Sequence, residues 1–111
     1  MNPVISEAIE QRRAGQFSKS RALLRQVLDD PEVSSVTHLH MAWSYDNEGL
    51  ELEVVSHGEL SLTGQLLEPD QFDALFGRAG ALRSLGRYDE AFRCFDGLDV
   101  KYPDSKTVLP F

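Results

Sequence analysis

Residues 83–92 read RSLGRYDEAF, and the placing of Gly86 within them decides the fold. An apolar run with helical spacing ends at this glycine, and a second one begins just after it. Glycine adopts φ > 0 without a Cβ penalty, so it is the residue that stops one helix and turns the chain into the next. The same arrangement occurs twice upstream, at Gly49 and Gly15. Seven positions before each glycine stands an alanine: Ala8, Ala42 and Ala79. Five positions after come Ser20, Val54 and Ala91, and nine after come Leu24, Gly58 and Phe95. Self-similarity at a period of 34 to 37 residues marks a repeat architecture.

Each unit is predicted to be a pair of amphipathic helices. Before the glycines, apolar residues recur at i, i+3, i+4: Ile5, Ala8, Ile9; Leu39, Ala42, Trp43; Leu75, Phe76, Ala79, Leu82. After them the period continues through Leu23, Leu24, Val27; Val54, Val55, Leu62; and Ala91, Phe92, Phe95, Leu98. Small residues facing each other across the turn allow two antiparallel helices to approach closely. The residue two places after each glycine, Phe17, Glu51 or Tyr88, is expected to fill the corner. The longer spacing before Gly86 is assigned to GQLLEPDQF, where Gly64 ends a helix and Pro69-Asp70 starts one.

These residues resemble the tetratricopeptide repeat family over residues 2–103. The third unit is the best match, through Leu75, Ala79, Leu82, Gly86, Tyr88, Ala91, Phe95 and Pro103. The second is degenerate, with Glu51, Val54 and Gly58 at pattern positions. Its stretch HLHMAWSYDNEGLELEVVSHGELSL is similar to a bacterial subgroup known as group 5. The resemblance implies an all-α, right-handed superhelix of about three antiparallel helix hairpins with a short C-terminal stub. It spans one domain, residues 1–111, with repeats at about 1–34, 35–71 and 72–105.

The resemblance also implies a function: first helices lining a concave groove that takes a protein or peptide partner. Projected onto this chain, the groove residues are Ile9, Arg12, Arg13, His40, Trp43, Asn47, Phe76 and Arg83. Trp43 with the arginines is the expected binding centre, since Trp and Arg dominate interface hot spots. Such a groove would be less acidic than the rest of the surface and would suit an acidic segment. The family's grip on a terminal carboxylate needs Lys, Asn and Arg, where this chain has Ile5, Ile9, His40, Asp73 and Gly77. That mode is therefore not expected.

Composition narrows the alternatives. With 18 acidic against 11 basic residues the formal charge is −7, which disfavours nucleic acid and anionic lipid. No apolar run is long enough to span a bilayer, and the start MNPVISEAIEQRR has no signal-peptide pattern. One cysteine, Cys94, forms no internal disulfide, which points to a cytoplasmic setting. His38 and His40, two apart, face different sides of a helix, and His57 has no ligand partner at sequence spacing. All three are read as ordinary helix residues, and Cys94 as a small hydrophobe. No catalytic motif and no cofactor site are expected. The alternative to a binding module is self-association: the third unit, with Phe95 and Leu98, is expected to stay partly uncovered beside the terminal TVLPF and to form a homodimer contact.

Overall fold

The computed structural model describes residues 2–103, which form six α-helices and, among the described residues, no strand. They are α1 (Pro3–Arg13), α2 (Phe17–Arg25), α3 (Ser34–Asn47), α4 (Glu51–Ser61), α5 (Glu68–Ser84) and α6 (Tyr88–Lys101). Successive pairs form three hairpins. Each hairpin then packs on the next through its second helix, α2 against α3 and α4 against α5. Residues 104–111, on which the expected C-terminal stub and dimer contact fall, lie outside the described residues.

The three hairpin turns are built alike. Gly15, Gly49 and Gly86 have φ of 80°, 72° and 80°, the only positive values among the described residues. Their N–H groups donate to Arg12, Asp46 and Arg83 carbonyls at 2.9 to 3.0 Å. The next residue's N–H reaches back to the carbonyl one residue earlier, from Gln16 to Gln11, Leu50 to Tyr45, and Arg87 to Leu82. This is the Schellman closure, which satisfies carbonyls that the helix end leaves open. Gln16, Leu50 and Arg87 then share φ near −90° and ψ of 65° to 76°, so all three second helices leave the turn at one angle.

Small residues make the close contact within each hairpin. Ala8, Ser20, Ala79 and Ala91 are 0 to 1% exposed, and Ser20 Oγ donates to the Ala8 carbonyl at 2.7 Å. Two apolar clusters follow. One holds Ile5, Ala8, Leu24 and Met41; the other holds Val54, Val55, Ala79, Leu82, Phe95 and Leu98, and Tyr45 packs against both.

Several expectations change. Phe95 and Leu98, expected to stay partly uncovered, are 5% and 1% exposed, because α5 and Tyr102 close over them. Tyr88 does not fill a corner: it is 57% exposed, since no helix among the described residues stacks beyond α6. Phe17, half-buried, has α3 beside it, and Ser44 Oγ donates to its carbonyl at 3.4 Å. Helix α2 ends at Arg25, leaving Val27 and Leu28 to pack from a turn instead of a helix.

The linker glycine has a different role from the one expected. Gly64 does not take a positive φ. A Cβ there would lie 2.0 Å from Ser35 Oγ, so Gly64 lets the linker pass tightly over the start of α3. Gly58 is buried in α4, and a Cβ on it would meet Arg78 Cβ at 3.8 Å, an ordinary contact with α5.

Candidate functional site

Helices α1, α3 and α5 are the first members of their hairpins, and two clefts lie between them. One, of about 470 Å³, is lined by Arg12, Arg13, Gly15, Phe17, Trp43, Asp46 and Asn47. The other, of about 360 Å³, has walls of Trp43 and Phe76, with Leu39, Ala74 and Gly58 beneath and Asp46 and Asp73 at its rim. Trp43 and Asp46 line both clefts, so the two are continuous around Trp43.

Trp43 is half-buried, neither a core residue nor a free surface one. Its position is fixed from two sides. The Arg12 guanidinium carbon lies 5.2 Å from the indole centroid, a cation–π contact. The His40 ring meets the indole edge-on at 5.0 Å. Burial of Arg12 and the charge of neighbouring Arg13 both lower the Arg12 pKa, so the pair of arginines is held under mutual repulsion. Phe76 is set by stacking on Phe72 at 5.9 Å and by an edge contact with Phe95 at 6.0 Å.

The other expected groove residues are placed elsewhere. His40 is 7% exposed, so it supports Trp43 from beneath and presents no ring to a partner. Burial, and secondarily Arg12, pushes its pKa down to about 4, and its Nδ1 has no hydrogen-bond partner. Ile9 packs half-buried against the first apolar cluster. Arg83 is exposed in the last turn of α5, outside the lining of both clefts. The Trp43–Phe76 cleft carries Asp46 and Asp73 at its rim, against the expectation of a groove less acidic than the rest of the surface.

Two features beside the clefts were not found by sequence reasoning. Arg21 of α2 is 7% exposed, donates to Ser44 Oγ at 2.9 Å, pairs with Glu48 at 2.7 Å and lies 4.4 Å over the Tyr45 ring. It ties the first hairpin to the second. His38 and His57 meet across α3 and α4 with Nδ1···Nδ1 at 2.9 Å. Their centroid separation of 5.1 Å exceeds that distance by about twice a ring radius, so the rings meet nitrogen to nitrogen at their edges. A hydrogen bond there requires one protonated and one bare Nδ1. Burial lowers both pKa values; Asp29 partly offsets this for His38, while His38 and Arg25 add to it for His57.

Among the described residues, no three His, Cys, Asp or Glu side chains gather to hold a metal ion, and no helix is long and apolar enough to cross a membrane. What the clefts offer is a binding surface: two large aromatic rings, flanking charges and a fixed helical frame.

Residues 73–105 match the family model for the tetratricopeptide repeat. No curated protein and no solved structure matches the chain. The match lies outside the His38–Leu62 stretch and does not extend to the group 5 subgroup. The matched segment takes in α5 from Asp73 onward, the Gly86 turn and α6, and the two earlier hairpins repeat its turn geometry. Residues 73–105 are thus similar to a tetratricopeptide repeat, and the third hairpin carries that likeness.

Proposed function

We propose that this protein is an interaction module that holds a peptide or helix of a protein partner against α1, α3 and α5. Repeated helix pairs of this kind serve as extended binding surfaces when they stack and curve. The observation that carries the reading is Trp43: a large aromatic at the junction of two continuous clefts, half-buried and braced by Arg12 and His40. Rigid, partly covered aromatics of this sort supply most of the energy of an interface. Arg12, Arg13, Asn47 and Phe76 complete the contact surface. The three hairpins act as one unit, with the right-handed stacking that the family implies. A binding role accounts for the site without catalysis, and the single free Cys94 is in keeping with the cytoplasm.

A peptide library selected against the wild-type chain tests the proposal. Peptides recovered in this way should bind Trp43→Ala at least about tenfold more weakly, the size expected of a hot spot. The helical circular dichroism of the variant should be unchanged. Peptides that bind both forms equally would overturn the assignment of the groove.

Self-association is a second reading, favoured by two apolar residues exposed on α6, Phe92 at 45% and Val100 at 84%. Light scattering over a concentration series separates the two. A mass that stays at one chain leaves the groove reading alone, and a dimer abolished by Val100→Lys supports the second.

A further inference from the structure

Resting on the groove reading, we propose that the cleft between Trp43 and Phe76 is a subsite for a basic side chain, Lys or Arg, of the docked segment. Its shape is the first ground. The cleft holds about 360 Å³, at the small end of ligand-site volumes. Two aromatic walls and an apolar floor suit the methylene stem of a long side chain, whose charged head would stay at the rim.

Charge is the second ground. The rim carries Asp46 of α3 and Asp73 of α5, both exposed, and among the described residues neither carboxylate has a hydrogen-bond or ion-pair partner. The Asp73 pKa is raised, by burial first and by Asp70 second, and that of Glu51 is raised by burial and by Asp46. A carboxylate held among like charges is one that a cation relieves. The basic residue that also lines this cleft, Arg78, is directed to the Glu59 carboxylate at 3.3 Å on α4. The chain's overall charge of −7 attracts a basic segment from a distance.

The third ground is a contact the molecule makes within itself. In the neighbouring cleft, whose lining also includes Asp46, the Arg12 guanidinium sits over the same indole. A partner's Arg or Lys at the Phe76 side would repeat that contact from outside. Arg is the better match, because a planar guanidinium stacks on an aromatic face while pairing with a carboxylate.

The test uses three helical peptides of equal length and identical leucine spacing, with every other position Lys, Gln or Glu. Binding is followed by the indole N–H resonance of Trp43, the chain's one tryptophan. The Leu/Lys peptide should bind tightest and the Leu/Glu peptide weakest. Asp46→Asn and Asp73→Asn should each weaken the Leu/Lys peptide about threefold, and together about tenfold, leaving the Leu/Gln peptide unchanged. The control is Asp96→Asn with Asp99→Asn, two exposed residues on α6 that alter net charge equally. It should change Leu/Lys affinity less than about twofold, by long-range screening alone. Three peptides that move the indole resonance with equal affinity, or a control that weakens binding as much as the rim pair, would overturn the subsite while the groove stands. If none of the three moves that resonance, the groove reading falls and the subsite with it. Melts of each variant check folding, and the single Asp→Asn changes carry the test if the double variant is unstable.

Discussion

Lowering the pH should destabilise this fold through His40, and the size of the effect follows from its burial. The ring is 7% exposed, and its pKa is lowered to about 4 by burial first and Arg12 second. In the unfolded chain an ordinary histidine titrates near 6.5. Above that value the ring is neutral in both states, and its contribution to stability is intact. As the pH falls through 6.5 the unfolded chain takes up a proton that the folded chain refuses until about 4, so stability is lost over that window. Between about pH 7.5 and pH 5 the loss from His40 alone is about 2 kcal/mol. In a chain of this size that lowers the melting midpoint by roughly 10 °C. His38 and His57, also shifted downward, act in the same sense. The raised carboxyls of Glu51 and Asp73 act in the opposite sense. Comparison with His40→Leu isolates the one group, because every other titration is common to both proteins. Urea unfolding followed by circular dichroism at the two pH values should show the variant losing about 2 kcal/mol less than the wild type. Equal losses would refute the burial argument.

Three further outcomes are expected. Gly86→Val should cost about 1 kcal/mol or more in urea unfolding, although a Cβ there meets nothing within 4 Å, because the cost lies in the positive φ. Gly64→Ala should destabilise by about 1 kcal/mol through its clash with Ser35 Oγ, and adding Ser35→Ala should restore most of the loss, so a double-mutant cycle with no coupling would contradict the close approach. Arg21→Ala should cost about 2–3 kcal/mol by removing a charged hydrogen-bond set between hairpins, and Arg21→Lys should recover little, since an ammonium does not reproduce the planar fork over Tyr45.

What could be read from the sequence was whatever a single residue type enforces locally. Gly15, Gly49 and Gly86 were legible because only glycine takes their φ at no cost, and the alanines because close helix approach excludes larger side chains. The contacts between hairpins were not legible in the same way. Arg21 reads as a solvated charge beside Ser20, and only the stacking of α3 on α2 buries it. Tyr88 reads as a corner aromatic like Phe17, but its exposure depends on what packs next to the hairpin, which its own unit does not encode. His40 sits in register with the groove, yet its ring, about 60° round the helix from Trp43, is buried beneath the indole instead of lying beside it. Asp46 and Asp73 fall in register with the groove on their separate helices, but only the packing of the second hairpin on the third brings them to one cleft.

The facing of His38 and His57 follows from the Gly49 turn. Once Gly49 is fixed as a turn, residues at matching distances on either side must face each other. Ala42 lies seven before it and Val54 five after; His38 lies eleven before and His57 eight after, one turn further along the same seam. Spacing within a helix separates the three histidines, while distance from the turn joins two of them. The same reasoning explains why the second unit departs from the family pattern. Gly58 stands where the other units place Leu24 and Phe95, and its missing side chain leaves room at the floor of the cleft beside α5, where an added Cβ would meet Arg78 Cβ at 3.8 Å. A large residue at that position would hold α5 away from α4 and shift Phe76 relative to Trp43. The degenerate middle repeat is therefore the one that sets the spacing of the candidate cleft. Gly58→Leu should separate those two rings and weaken peptide binding, even though its leucine restores the repeat pattern.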